Sequence, residues 1–400
     1  MILAAGYGTR LWPLTLDRAK PAIPFMGRPL VGYVAEYLAG HGCREIAVNL
    51  HHEPESVRAA LGDGSRFGVS LTYVEEPEIL GTSGALDNAR DFFHDETFVV
   101  VNGKIATDID LTAALRTHRE TDALATLVLR PNHEREKYST VEIRDRMILG
   151  FGGYPGPAPA SDKAGGVPRA SPTASVSGDS STASVSGGSP TVSTSGDSQT
   201  ASAPVESQTA GASQGSQAAS PVQGSGAFIT REPRPQSGYG ETPLMFTGIH
   251  ILAPRIFDYV PRGVFSDSVT GVYPRAFAAG ERIAAHVAGG YWHELSTIAR
   301  YLDTSIALMR EQGRKVELGE NSVVSDGAEV TDAVLWENVR VEAGGRVSRA
   351  VLGAGVRVPA GEVIADAAVV RAELVAGAER PEKALAGEVR GANFVVPLAR

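Results

Sequence analysis

Apolar residues in the first third of the chain come in short runs. Ile2–Ala5, Glu45–Leu50, Ser70–Val74, Phe98–Val101 and Ala123–Leu129 are rich in Val, Ile, Leu and Ala. The stretches between them, Arg28–Ala39, Glu53–Leu61, Ser83–Arg90 and Leu111–Arg119, carry helix signals. Strand, helix, strand at this spacing predicts βαβ units. Strands that read as continuous apolar runs predict a sheet covered on both faces. The expected fold class is α/β, with a Rossmann-like, mainly parallel sheet and helices on both faces.

The pattern then changes twice. From 154 to 237, Ser, Thr, Ala, Gly, Pro and Gln dominate, and a nine-residue repeat runs from Thr173 to Gln217 (TASVSGDSS, TASVSGGSP, TVSTSGDSQ, TASAPVESQ, TAGASQGSQ). The repeat lacks the apolar positions of a solenoid core, so the tract is expected to be a disordered insertion. Folded character returns at PLMFTGIHIL (243–252) and continues through 291–309, a loop entering an amphipathic helix. After about Leu318, apolar residues recur every six positions: Val324 and Val330; Leu335, Val341 and Val347; Leu352, Val358, Ile364 and Val370. That is the hexapeptide β-helix period, with register slips before Leu335 and Leu352. An open solenoid end needs a cover, either the tail or another subunit. The expected organisation is one domain in two pieces, 1–153 and 238–312, interrupted by an insertion at 154–237 and followed by a β-helix and tail at 313–400.

Composition narrows the class. The 400 residues are 42% hydrophobic, enough for a sizeable core, and carry a net charge of −9, which argues against a nucleic-acid binder. Cys43 is the single cysteine, so no intramolecular disulfide forms. No apolar run is long enough to span a bilayer. A cytoplasmic protein without a membrane partner is the expectation.

The chemistry begins at LAAGYGTRLWPLT (3–15), followed by AKPAIP (19–24). An apolar strand runs into Gly6-x-Gly8-Thr9-Arg10. Glycines let the backbone approach a phosphate, and successive N–H groups form an anion nest. Arg10 adds a planar fork of donors and Lys20 a point charge. His51-His52 invites a metal reading, but neighbouring residues do not converge on one ion and no further ligand follows at metal spacing. His250, on an apolar strand, reads as a core histidine.

The whole string resembles the signature of the sugar-1-phosphate nucleotidyltransferases, or NDP-sugar pyrophosphorylases, in particular the mannose-1-phosphate guanylyltransferase-like branch. VNLHHEPESVRAALGDG (48–64), LGTSGAL (80–86), VVVNG (99–103), FTGIHIL (246–252) and YWHELST (291–297) agree with it. The resemblance implies that an NTP and a sugar 1-phosphate are joined into an NDP-sugar with release of pyrophosphate. It implies that Gly6, Gly8 and Thr9 cradle the triphosphate, with Arg10 and Lys20 as catalytic cations and Gly81 and Thr82 near the base. It implies that Ser139, Gly248 and Trp292 border the sugar. It also implies a left-handed β-helix that joins copies into a homo-oligomer, and a bound Mg²⁺.

The chain departs from the family pattern where that Mg²⁺ belongs. The family places an aspartate after Asn-Gly; here Lys104 stands there, among the nucleotide-contacting positions. The second ligand position, the aspartate of YWxDxGT, is Glu294. The family's YGVV is Tyr138-Ser139-Thr140-Val141, and the Glu-Lys-Pro expected around 151–156 is FGGYPG. Two carboxylates with Mg²⁺ sum to zero charge, and so do Lys104 and Glu294. Asp108 or Asp110 offers another way to recruit the ion, though both precede an apolar helix start. Two functional readings stay open: an enzyme, or a nucleotide-binding paralogue with little turnover.

Overall fold

The structure, a computed structural model, describes residues 1–133, 138, 140–151, 154–155 and 242–398. All of these fall in one compact unit. The repeat tract, Ser139 and residues 152, 153 and 156 of the stretch where Glu-Lys-Pro is expected lie outside the described residues.

The central sheet is built from Ile2–Leu3 (β1), Glu45–Leu50 (β2), Ser70–Glu75 (β3), Phe98–Asn102 (β4), Ala125–Pro131 (β5), Leu244–Leu252 (β6) and Ile283–Val287 (β7). Their order across the sheet is β7-β5-β6-β4-β1-β2-β3. Strands β3, β2, β1 and β4 are mutually parallel, as the βαβ spacing predicts. Beyond β4 the sheet is mixed. Strand β6 runs antiparallel between β4 and β5, and β5 and β7 are parallel. A hairpin, Thr140–Arg144 with Met147–Phe151, closes that side.

Helices cover both faces. Leu30–Gly40 (α1), Pro54–Leu61 (α2) and Leu111–Thr121 (α4) pack on one face; Gly81–Asn88 (α3) and Tyr273–Ala278 (α5) pack on the other. The alternation along the strands explains this. Val101 and Val128 enter the first core, and Val100, Leu127 and Leu129 enter the second. The last helix, Ile298–Glu311 (α6), is capped by the Thr297 hydroxyl, which accepts from the Arg300 N–H at 3.2 Å. It buries Ile298, Tyr301, Leu302, Ser305, Ile306 and Met309, one helical face.

The C-terminal region stacks parallel strands. Val330 pairs with Val347, and Val347 with Ile364, so each coil is 17 residues long. That is one residue short of three hexapeptides, which accounts for the register slips. It also reassigns the last inward position: Val369, not Val370, pairs with Leu352 and enters the solenoid core. Val370 faces away from the solenoid core, packing with Leu11, Trp12, Leu14, Trp336 and Phe394. The tail covers the last coil, because Asn393–Pro397 pairs antiparallel with Val363–Arg371. Arg18 adds a polar clasp between the loop region and the solenoid. Its guanidinium lies 2.5 Å from Glu337 and stacks 4.6 Å over Trp336.

Candidate nucleotide site

In open α/β sheets, ligands settle beyond the carboxyl ends of the strands. The ends of β1, β2, β3 and β4 here border a cavity of about 350 Å³. Gly6, Gly8, Thr9 and Arg10 line it from the first strand, and Lys20 and Pro21 from the turn that follows. Gly81 and Thr82 line it from the start of α3, and Lys104 from the loop after β4. All eight sequence-read nucleotide positions therefore meet at one cavity.

The loop conformation follows from its residues. Gly8 has φ +65, and a Cβ there would lie 2.9 Å from the Lys20 Cβ and 3.0 Å from the Thr15 Cγ2. Only glycine lets the loop fold onto the lysine stem. At Gly6 a Cβ would meet no protein atom within 4 Å. The Gly8 carbonyl accepts from the Leu11 N–H at 2.8 Å, starting the 3₁₀ turn Thr9–Leu11.

His51 and His52 hold this loop rather than a metal. A His51 ring nitrogen lies 3.0 Å from the Tyr7 hydroxyl, and a His52 ring nitrogen lies 2.8 Å from the Thr15 carbonyl. His250 is likewise a core residue: it is buried against the Tyr273 hydroxyl at 2.6 Å, and burial lowers its pKa to about 4. Cys43 is a half-buried free thiol whose pKa burial raises.

A buried polar network, missed in the sequence, ties three strand ends together. Asn49 Oδ1 accepts from the Ala4 N–H at 2.8 Å, and Asn49 Nδ2 donates to Glu76 Oε1 at 2.7 Å. Glu76 Oε2 accepts from the Leu80 N–H at 3.0 Å. Asn49 and Glu76 both line the cavity. Gly81 and Thr82 are pinned to the segment after Phe265: a Cβ at Gly81 would come within 2.6 Å of the Ser266 carbonyl, and the Thr82 hydroxyl lies 3.3 Å from Asp267.

Arg10, Lys20 and Lys104 line the cavity. Lys20 is buried, and its pKa lies well below the ordinary lysine value because of burial and the neighbouring Lys104, with Glu294 opposing. An anion would relieve that strain.

Lys104 owes its position to a short ribbon. Ile105–Thr107 pairs antiparallel with Trp292–Glu294, with Ile105 opposite Glu294. The Lys104 ammonium is thereby held 2.5 Å from Glu294 Oε1. Glu294 Oε2 accepts from the Tyr138 hydroxyl at 2.8 Å, and an Arg300 guanidinium nitrogen, itself bonded to that hydroxyl, lies 3.8 Å away. Burial would raise the Glu294 pKa, but Lys104 first and Tyr138 next override it, and the value falls to about 2.

The residues do not fit the Mg²⁺ that the resemblance implies. The carboxylate at the second ligand position is already bound by an ammonium, a phenol and a nearby guanidinium. Among the described residues no group of three or more His, Cys, Asp or Glu side chains is arranged to hold a metal. Asp110 is the N-cap of α4, accepting from the Thr112 and Ala113 N–H groups at 2.8 and 3.1 Å. Asp108 accepts from the Tyr291 N–H at 2.7 Å. Neither lines the cavity.

Trp292 borders a second cavity of about 570 Å³, together with Arg130, His293, Glu294 and Arg300. Its indole N–H donates to the Thr247 carbonyl at 2.9 Å. Gly248 lines neither cavity; with φ +84, it lies where a Cβ would come within 2.2 Å of Asn102 Nδ2. Glu294 is thus the wall shared by the anion cavity's lysine and the second cavity.

Comparison with known proteins defines the class. Residues 1–165 match the nucleotidyl transferase family, and residues 311–372 match the GlmU-like C-terminal hexapeptide. The chain therefore carries a nucleotidyl transferase domain and a hexapeptide, left-handed β-helix region. Its relatives are mannose-1-phosphate guanylyltransferases and other sugar-1-phosphate nucleotidyltransferases.

Over 165 residues it is 40% identical to a UTP–glucose-1-phosphate uridylyltransferase of Synechocystis, covering 38% of this chain and 42% of that protein. Over 118 residues it is 42% identical to an N-acetylmuramate α-1-phosphate uridylyltransferase of Neisseria meningitidis, covering 29% and 51%. Over 129 residues it is 35% identical to a mannose-1-phosphate guanylyltransferase of Mycobacterium tuberculosis, covering 32% and 36%. The matched segment thus spans about 36–51% of the length of these relatives. Among the described residues no helix is long and apolar enough to cross a membrane.

Proposed function

We propose that the protein is a sugar-1-phosphate nucleotidyltransferase that forms an NDP-sugar and pyrophosphate. The observation that carries this reading is the convergence of the Gly6–Arg10 loop, Lys20 and Lys104 on one cavity at the strand ends. Backbone N–H groups of the loop cradle the triphosphate, and Arg10 and Lys20 neutralise the pyrophosphate as it leaves. A sugar-phosphate oxygen attacks the α-phosphorus in line. The bridging P–O bond to the β-phosphate breaks, and pyrophosphate departs with the bonding electrons. Such a transfer depends on positioning and charge, not on a protein nucleophile. Gly81 and Thr82 sit beside the base. Trp292 and the second cavity receive the sugar, with Gly248 supporting from behind Asn102.

The relatives include uridylyl- and guanylyltransferases, so the base is open between them; GTP with mannose 1-phosphate is the first pair to assay. The β-helix joins copies of the chain, with Val323 and Val363 exposed on its outer faces. The second reading, a protein that binds nucleotide with little turnover, draws on the Lys104–Glu294 pair. A pyrophosphate-release assay over the common NTPs and several sugar 1-phosphates separates the two. Release that needs one NTP and one sugar phosphate supports the enzyme. Nucleotide binding without release, over the whole matrix, supports the second reading.

A further inference from the structure

We infer that the Lys104–Glu294 ion pair takes the place of a divalent cation, so that this cavity binds a triphosphate without metal. The inference rests on the triphosphate reading of the cavity and adds what neutralises the ligand there.

Strand pairing sets Glu294 opposite Ile105, next to Lys104 in the chain, and the 2.5 Å contact joins one Lys104 N–H to Glu294 Oε1. Lysine has three donors, so two remain to reach an anion. The pair is asymmetric in exposure: the Lys104 side chain is 31% exposed and Glu294 is 8% exposed. The ammonium borders the anion cavity, whereas the carboxylate lies behind it, beside Tyr138 and Arg300. A metal at this corner would have to displace the ammonium from Oε1 and sit between Lys104 and Arg300, both cationic. Arg10 and Lys20, which line the same cavity, add further positive charge. Like charges at such separations repel a second cation strongly where water is scarce.

Among the described residues lining the cavity, the other carboxylates, Glu76 and Asp267, are already engaged. Glu76 is held on both oxygens by Asn49 and Leu80. Asp267 Oδ1 caps the Val269 and Thr270 N–H groups, and Oδ2 faces the Thr82 hydroxyl. Among the described residues lining the cavity, the cations that complement a polyphosphate are Arg10, Lys20 and Lys104. Glu294, Tyr138 and Arg300 act as positioning residues that aim the Lys104 ammonium.

The test is calorimetric titration of the full chain with inorganic tripolyphosphate and with GTP and UTP, in EDTA and in Mg²⁺. Affinities are corrected for the metal's complexation of free ligand. The expected result is binding in EDTA within about threefold of that in Mg²⁺. Lys104→Ala should lose about 10- to 100-fold in EDTA, the weight of charge-assisted hydrogen bonds. Lys104→Arg should retain most of it.

Lys104→Asp should lose binding in EDTA and recover it with Mg²⁺. It should also bind Mn²⁺, seen by electron paramagnetic resonance, where the wild type does not. Thermal unfolding checks that each variant is folded, and Lys104→Arg keeps the test valid if Lys104→Asp does not fold. Wild-type binding that vanishes in EDTA and returns with Mg²⁺ overturns this inference and leaves the proposed function standing. No binding of any triphosphate in either buffer overturns both.

Discussion

Two walls of one cavity follow different rules. The Gly6–Arg10 wall is made of backbone. Its geometry is set by Gly8 at φ +65 pressed on Lys20, and its donors are N–H groups that any sequence with those glycines presents. The Lys104–Glu294 wall is made of side chains on a ribbon, Ile105–Thr107 against Trp292–Glu294. The ribbon fixes where two side chains meet and leaves open what they are. A backbone wall persists or collapses as a unit, whereas a side-chain wall can exchange a carboxylate and metal for an ammonium without moving the fold.

The comparison breaks most readily at Gly8. Gly8→Ala forces a side chain into left-handed backbone and against Lys20 and Thr15. Loss of triphosphate affinity by about two orders of magnitude is expected, from strain of roughly 1–3 kcal/mol for each of two conflicts. Calorimetry reads the affinity, and circular dichroism checks that the sheet survives. Retained affinity would mean that the loop's N–H groups do not carry the anion.

Arg10→Ala removes one charged donor from the same wall. A loss of about 10- to 100-fold is expected, together with a shallower dependence of affinity on salt.

Lys20→Met sharpens the contrast between stability and binding. Lys20 is a base whose folded-state pKa is depressed, so the unfolded chain holds the proton more tightly, and folding costs free energy wherever Lys20 must stay charged or release its proton. The ligand-free variant should melt higher than the wild type, by a few degrees for a gain of about 1 kcal/mol, while triphosphate binding weakens. Without ligand, wild-type stability should also rise with pH as Lys20 deprotonates, up to the ordinary lysine value near 10.5.

A smaller effect is expected at acid pH. The Glu294 pKa, about 2, lies below its ordinary value of 4.5. The stabilisation it gives is full above 4.5 and is lost as pH falls through that window. Lys104→Ala raises the Glu294 pKa, so the acid-unfolding midpoint should move to higher pH. The smallest effect is expected for deleting Ala158–Gln236 with a short Gly/Ser bridge. Large apolar residues nearly vanish from its sequence, so the melting temperature should scarcely change.

The sequence showed one wall better than the other. Gly6, Gly8, Arg10 and Lys20 lie within 15 residues of one another, and their chemistry is local. Lys104 was visible as a departure, but its contact with Glu294 depends on a pairing across almost 190 positions. Tyr138 was visible only as the first residue of the altered YGVV stretch and Arg300 gave no signal, because both act through Glu294. Asn49 and Glu76 were hidden for a related reason: each sits at a strand end, and only the sheet order makes them neighbours. The solenoid period was legible, but its true step of 17 was not, so Val370 was assigned the place that Val369 fills.

The central claim, that one triphosphate rests on a backbone wall and a lysine wall, is tested most directly by a crystal structure. The full chain would be crystallised with a non-hydrolysable NTP in the presence of Mg²⁺. The expected density has phosphate oxygens on the Gly6–Arg10 N–H groups and on Lys104 Nζ, with the Lys104–Glu294 contact intact. An octahedral metal bound to Glu294 and the phosphates, with Lys104 swung aside, would contradict it.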